Sequence, residues 1–377
     1  MTPRRITVLG PLWPYRGGIA HFSASLARDL STRGHTVRTL TFRRQYPSRL
    51  FPGTTQYESG PPPEGVPLAA RVLDTLNPLS WRRTARRVIS GGTDVLVLMY
   101  WMSFFAPALT VVARYARRRG VRVVTVVHNA LPHEPRPGDA WLAHRLFRSS
   151  DGLVVMSDQV RRDVERIGGA AAVQQVAHPV YDTFGDAIPR EAARAALSLD
   201  ADAPTLLFFG FVRPYKGLDV LLDAMPAVLA RVPEARLVVA GEFYADESEL
   251  RQRAEFLGNA VRLDASYIPD AAVGRYFGAA DVVVQPYRTA TQSGVAQIAF
   301  HFGRPVITTD VGGLAEVVPD GDAGLVVPPE DPARLADAIV RFFEEDLGPR
   351  LTRGVERERA RYSWARLSEA VEALGAS

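Results

Sequence analysis

The sequence contains no cysteine. Disulfide frameworks and thiolate metal sites are therefore excluded. It has no apolar run long enough to span a bilayer. The first residues, MTPRRITVLG, lead into a short apolar strand pattern without a signal core or cleavage site, so a cytoplasmic location is expected. No HExxH or similar zinc spacing occurs, and no GxGxxG follows the first strand. Without that glycine fingerprint and its ribose-binding acid, a nicotinamide dehydrogenase is disfavoured. Lysine is almost absent too. Of 45 basic side chains, only Lys216 is not arginine. Such a bias suits a GC-rich genome, in which arginine replaces lysine wherever the two are interchangeable. They are not interchangeable where a compact ammonium acts as a point charge. Composition alone therefore marks Lys216 as a functional candidate; chance survival of one surface lysine is the competing reading.

A chain of 377 residues exceeds one ordinary core and favours two domains. With 47% hydrophobic and 23% charged residues it reads as globular. The net charge is +4 and the pI about 9.5, mild for a nucleic-acid binder, so no nucleic-acid partner is expected. The cations gather in two helical stretches, Arg82, Arg83, Arg86 and Arg87, and Arg114, Arg117, Arg118 and Arg119. Solvated helix faces are the plain reading. The sharper one is peripheral contact with anionic lipid at the inner membrane face, or with a lipid-linked acceptor.

Apolar runs alternate with helical patterns in the first half. Strands are predicted at 6–9, 37–42, 94–99, 121–127 and 152–156, with a helix over 19–33. Residues 43–68 break the pattern with proline, glycine and aromatics, more than a plain connector needs. After Pro179 the alternation restarts, with strands at 205–210, 235–240, 261–263, 281–285, 305–309 and 324–327. Buried-type strands between helices predict parallel sheets covered on both faces. The expected fold class is α/β, two Rossmann-like doubly wound domains whose sheets face a central cleft at their carboxyl ends.

Four loops carry the chemistry. Gly17 and Gly18 open the first helix, where bare backbone N–H groups admit an anion; a tight turn is the alternative. After strand TLLFFG come Arg213 and Lys216, three residues apart in a loop constrained by Pro214 and Gly217. Two cations so placed can clamp a pyrophosphate and stabilise the charge that grows as it leaves. After DVVVQ, the run through Gln292, Ser293, Gly294 and Val295 leads into another helix N-terminus. After PVITT comes a Gly-Gly turn before Glu316. His128 ends an apolar strand at the same edge and is favoured as functional, His133 less so; His21, His35, His144, His178 and His301 read as structural or surface residues. Two Asp-x-Asp strings, Asp200-Ala201-Asp202 and Asp320-Gly321-Asp322, read as polar turns, so no metal site is expected.

The runs RPYKGLD, SGVAQIAFHFGRPVITTDVGGLAEVV and GLVVPPEDPARLADAI resemble the nucleotide-binding domain of retaining GT-B glycosyltransferases of family four. GPLWPYRGGIAHF, HNALPHEPRPGD and PYRTATQSG resemble one branch of it. The resemblance covers nearly the whole chain. It implies an N-terminal acceptor-side domain over 1–182, on which a final helix in 360–377 packs back, and a nucleotide-sugar domain over 183–359. It implies His128, Arg213 and Lys216 as catalytic residues, and Gly17, Gly18, Gln292, Ser293, Gly294, Val295, Gln297 and Glu316 as further donor contacts. No cofactor is implied, only a UDP- or GDP-linked sugar as substrate. The sequence departs from the family where two glutamates seven residues apart are usual: residues 288–309 contain no acid. Gln292 and Gln297 are the nearest polar substitutes. A sugar-nucleotide epimerase is the second reading, weakened by the lack of carboxylates at the sugar; a non-catalytic nucleotide-sugar binder is the third.

Overall fold

The computed structural model describes residues 2–47, 55–58, 61–62, 65–132, 136–169, 172–180, 184–185, 187–244, 247–290, 293–359 and 362–376. The chain forms two compact units, Met1–Pro179 with Tyr362–Ser377, and Val180–Arg361.

The first unit contains β1 (Arg5–Leu9), β2 (Thr36–Arg44), β3 (Ala70–Asp74), β4 (Val95–Tyr100), β5 (Arg122–Val127), β6 (Gly152–Val155) and β7 (Val173–Gln175). Its helices are α1 (Gly18–Thr32), α2 (Pro78–Ser90), α3 (Ala106–Arg117), α4 (Asp139–Phe147) and α5 (Asp158–Ile167). The strands pair in parallel in the order β3-β2-β1-β4-β5-β6-β7. Every residue of β4, VLVLMY, is buried, as expected of a central strand covered on both faces. The helix α2 starts where Asn77 accepts the Leu79 N–H at 3.0 Å, with Pro78 at the first helical position. The edge strands β3 and β7 were not visible in the sequence pattern, because they are short and only partly buried.

The second unit contains β8 (Thr205–Phe209), β9 (Arg236–Ala240), β10 (Val261–Asp264), β11 (Val282–Gln285), β12 (Val306–Thr309) and β13 (Gly324–Val327). Around them lie α6 (Arg190–Ala196), α7 (Leu218–Arg231), α8 (Ser248–Phe256), α9 (Asp270–Ala279), α10 (Gly294–His301), α11 (Leu314–Val317), α12 (Pro332–Glu344) and α13 (Gly348–Arg359). The parallel order is β10-β9-β8-β11-β12-β13. Leu206, Phe208, Val284 and Ile307 of the sheet share one apolar core with Leu221 of α7 and Ile339 of α12. At the amino ends of β8 and β11, buried Arg194 donates to the Ala279 carbonyl at 3.0 Å and to Asp281 at 2.8 Å. Asp281 also accepts the Thr205 N–H at 2.7 Å, which pins the two strands. Both Asp-x-Asp strings precede strands at this edge. Arg194 donates to the Ala201 carbonyl at 2.5 Å, and Asp320 accepts the Val326 N–H at 2.9 Å.

The last helix, α14 (Trp364–Ala376), belongs to the first unit and packs on α1, β5 and β6. Its Glu372 accepts from Arg33 at 2.7 and 3.0 Å and lies 2.9 Å from His35 Nε2. A Cβ on Gly152 would stand 2.7 Å from Leu374, so this helix sits directly on the backbone of β6. Among the described residues, no helix is long and apolar enough to cross a membrane. Both units are doubly wound parallel sheets, as the alternation of runs predicts.

Candidate functional site

In open α/β sheets, ligands bind at the carboxyl ends of strands where the strand order reverses. In the second unit that point lies between β8 and β11. The loop after β8 runs from Gly210 to Gly217 and contains the turn Pro214–Lys216. Gly217 has φ 67°, and a Cβ there would stand 2.0 Å from the Pro286 carbonyl, so only glycine lets the two loops abut. A Cβ on Gly210 would lie 3.1 Å from Lys216 Nζ and 3.5 Å from the Val295 side chain. The ammonium therefore folds back over Gly210, toward the first turn of α10. It also lies 5.6 Å from the centre of the Tyr287 ring.

Lys216 is only 7% exposed, and no carboxylate or hydrogen-bond acceptor among the described residues pairs with its ammonium. Burial, and then the charge of Arg213, lower its pKa to about 7. Arg213 is exposed, lies 4.8 Å over the Tyr244 ring, and likewise has no carboxylate partner among the described residues. Two cations without counter-ions at a strand-order reversal leave charge for an anion to neutralise.

The adjoining loop after β11 is braced. Arg288 donates to both oxygens of Asp219 at 2.9 and 2.6 Å, to the Pro214 carbonyl at 2.7 Å and to Glu330 at 3.1 Å. Its backbone N–H reaches the Tyr215 carbonyl at 2.7 Å, lacing the two loops together. Ser293 caps α10 through the Ala296 N–H at 3.4 Å and receives Gln285 Nε2 at 2.9 Å. Gly294 and Val295 form the first turn of that helix. Gln297 is wholly buried, with neither amide atom hydrogen-bonded among the described residues, and Gln285 Oε1 likewise has no partner among them. Gln285 was passed over in the sequence, although a polar residue closing an apolar strand was its signal. Glu316, exposed, sits on the short α11 after β12. Gln292 lies outside the described residues, as does His133.

In the first unit the order reverses between β1 and β4. A Cβ on Gly10 would collide with Met99 at 2.5 Å, so β1 and β4 leave room only for glycine as the loop begins. Gly17 has φ 102° and caps α1, whose first residue is Gly18; its carbonyl accepts the Ala20 N–H at 2.9 Å. His128 continues β5, its N–H donating to the Tyr100 carbonyl at 2.8 Å. Its ring meets Phe22 edge-on at 4.6 Å, and Phe22 also touches His178 at 5.3 Å and Trp364 at 5.1 Å. His128 Nε2 is buried and has no hydrogen-bond partner among the described residues. Burial, then the charge of His178, lower the His128 pKa to about 3, so the imidazole is neutral at physiological pH. Burial also lowers the His178 pKa, to about 4, so both histidines are neutral at physiological pH, and Phe22 stands against both rings.

Residues 203–345 match the family of glycosyl transferases group 1, and residues 17–180 match the glycosyl transferase 4-like domain. The D-inositol 3-phosphate glycosyltransferase of Acidothermus cellulolyticus is 30% identical over 98% of this chain and 89% of its own. That of Saccharomonospora viridis is 30% identical over 98% of this chain and 93% of its own. Among solved structures, sucrose-phosphate synthase from Thermosynechococcus elongatus superposes with a TM-score of 0.75 at 21% identity, covering 98% of each chain. Anabaena HepE in complex with UDP and glucose gives 0.77 at 18% identity, covering 99% of this chain and 100% of its own. The folds of these two are GT-B, two Rossmann-like units in one chain, and that is the fold class of this protein.

Proposed function

The chain belongs to the group 1 glycosyltransferases, and we propose that it moves a sugar from a nucleotide-diphosphate donor to an acceptor in glycan, glycolipid or glycoside biosynthesis, with retention and without a metal ion. The observation that carries the donor reading is Lys216: the chain's one lysine, buried at the strand-order reversal of the second unit, beside Arg213 and without a counter-ion among the described residues. A donor diphosphate supplies the missing charge. As the sugar–phosphate bond breaks, the leaving group gains charge, and the two cations stabilise it more than the ground state. The Ser293-capped N-terminus of α10 adds its backbone dipole. Gly17 and Gly18 keep the opening of α1 bare for the donor, and Glu316 and Gln297 serve its ribose and sugar hydroxyls. A UDP-linked donor is favoured by the likeness to a fold that holds UDP and glucose.

Retention by double displacement needs a carboxylate against the anomeric carbon. Residues 288–309 supply none. Front-face departure fits better: the acceptor hydroxyl attacks from the side the phosphate leaves, its proton passes to the leaving phosphate oxygen, and the new glycosidic bond keeps the configuration. His128, held neutral, offers a hydrogen bond to a sugar hydroxyl rather than a charge. The test is a panel of nucleotide sugars with mass detection of transferred sugar, run with and without excess EDTA, and NMR of the product linkage. Transfer that persists in EDTA and keeps the donor's anomeric configuration is expected. Activity lost in EDTA and restored by magnesium or manganese would overturn the metal-free assignment, and an inverted linkage the front-face route.

A further inference from the structure

The first unit carries a helical layer whose charge is one-sided. The helix α2 packs beside α3, and α3 beside α4. Between residues 75 and 133 the only acidic residue is Asp94, which is bound to Arg5 at 3.0 Å. On α2 the exposed stripe reads Leu79, Arg82, Arg83, Arg86 and Arg87, positions that recur on one side of a helix. None of these four arginines has a carboxylate partner among the described residues. The same holds for Arg118 and Arg119 just past α3, for Arg145 of α4 and for Arg148 just past α4. Elsewhere this chain routinely pairs its arginines: Arg44 with Asp74, Arg231 with Glu344, Arg253 with Asp223 and Glu249. Genome bias explains why these cations are arginine. It does not explain why α2 and α3 carry no acid; in the rest of the layer Asp139 of α4 is buried, and Arg117 of α3 is the one arginine there that pairs with an acid, Asp151, among the described residues.

Large apolar side chains stand out on the same layer. Leu79 is 61% exposed at the start of α2, and Trp141 is 59% exposed in the first turn of α4. The guanidinium of Arg145 lies 4.8 Å over the Trp141 ring. An aromatic beside a cation, with leucine and unpaired arginines along a neighbouring helix, is the composition of an interfacial surface. The rings and leucine enter the headgroup boundary, and the arginines reach phosphates while their stems stay apolar.

We infer that the α2–α3–α4 layer of the first unit docks on an anionic lipid bilayer. The charge complementarity is electrostatic, the exposed leucine and tryptophan give it depth, and a double-stranded polyanion would satisfy the first but not the second. The inference stands apart from the donor chemistry. Of the acceptors in the reading above, it gives a glycolipid a surface on which to be met.

The test is co-sedimentation of the whole chain with vesicles of phosphatidylcholine alone or with phosphatidylglycerol, alongside a thermal-shift measurement with UDP and GDP on each variant. Binding to the phosphatidylglycerol vesicles only is expected. Reversing all four α2 arginines to glutamate, at exposed positions, should weaken it by about a hundredfold or more. Trp141→Phe should abolish a blue shift of the tryptophan emission seen on vesicle binding. The nucleotide shift should survive in every variant, so that loss of docking and loss of the donor site are told apart. Failure of the wild-type chain to bind, or unchanged binding by the four-glutamate variant, overturns the inference. Equal binding to duplex DNA and vesicles, with no emission shift from Trp141, overturns it in favour of a generic polyanion surface.

Discussion

Two cations in adjoining loops of the second unit have opposite surroundings. Arg288 has Asp219, Glu330 and the Pro214 carbonyl as partners. Lys216, one loop away, is more deeply buried and has no partner among the described residues. The consequences for their protons are opposite as well. Hydrogen bonding to Asp219 raises the Arg288 pKa, against partial burial. Burial, reinforced by Arg213, lowers that of Lys216 to about 7. A cation that holds a structure together is satisfied before any ligand arrives. A cation that serves a ligand is left unsatisfied, and the fold bears the cost.

The largest effect should come from the unsatisfied partner. Lys216→Ala should lower transfer by ~2–4 kcal/mol of transition-state stabilisation, about 30- to 1,000-fold, by analogy with loss of an oxyanion donor. Lys216→Arg should be nearly as poor, because a planar guanidinium cannot fit the space over Gly210 that holds a compact ammonium. Lys216→Met should behave oppositely in the free protein and raise its melting temperature, since an uncompensated buried charge is gone. The proton gives a second handle. The folded pKa near 7 lies below the ordinary 10.5, so between these values the unfolded chain binds the extra proton. This group therefore makes stability rise with pH across that window, and Lys216→Met should remove that slope. Nucleoside-diphosphate affinity should fall as pH rises from about 7 to 9, by at most tenfold per unit. Calorimetric titration across that range checks it; an affinity independent of pH would show that the lysine stays charged without ligand.

Arg288→Ala comes next and should give the converse pattern. It leaves the Asp219 carboxylate half-buried and bare, at a loss of about 1.5–3 kcal/mol, the range for hydrogen bonds to charged groups. The nucleotide-induced shift in melting should persist, because the anion site is still present. Urea denaturation with and without UDP measures both. If Arg288→Ala kept full stability but lost the nucleotide shift, the assignments of brace and ligand group would have to be exchanged.

The two sides of this comparison were unequally legible in the sequence. The parallel sheets followed from the alternation of apolar runs with helices, and the arginine bias singled out Lys216 as a candidate. Local pattern sufficed because each of those signals is carried by neighbouring residues. The brace was not legible: Arg288 and Asp219 are 69 residues apart, and nothing in PYRTATQSG says that its arginine turns toward the start of α7. The packing of His178 was not legible for the same reason, since Phe22 joins it to His128 from another element. Gln297 was legible as a polar residue in place of a glutamate, but its complete burial was not. Edge strands β3 and β7 lack the apolar runs that announced the central strands.

The smallest effect tests how far the brace extends. Arg288 meets Glu330 at 3.1 Å, but the Glu330 side chain is 68% exposed. Exposed pairs contribute only ~0.2–1 kcal/mol, because water already solvates both charges and holding the side chains costs entropy. The guanidinium is moreover fixed by Asp219 through two bonds, so little ordering is left for Glu330 to supply. Glu330→Gln is the right substitution. Glu330 has φ 57°, and glycine there would relieve backbone strain and confuse the sign. Glutamine keeps the backbone and removes only the charge. The melting midpoint should move by no more than a degree or two, and less at high salt. A loss larger than about 1 kcal/mol, insensitive to salt, would mean that the loop after β11 is clamped from two sides and that Asp219 alone does not make the difference between Arg288 and Lys216.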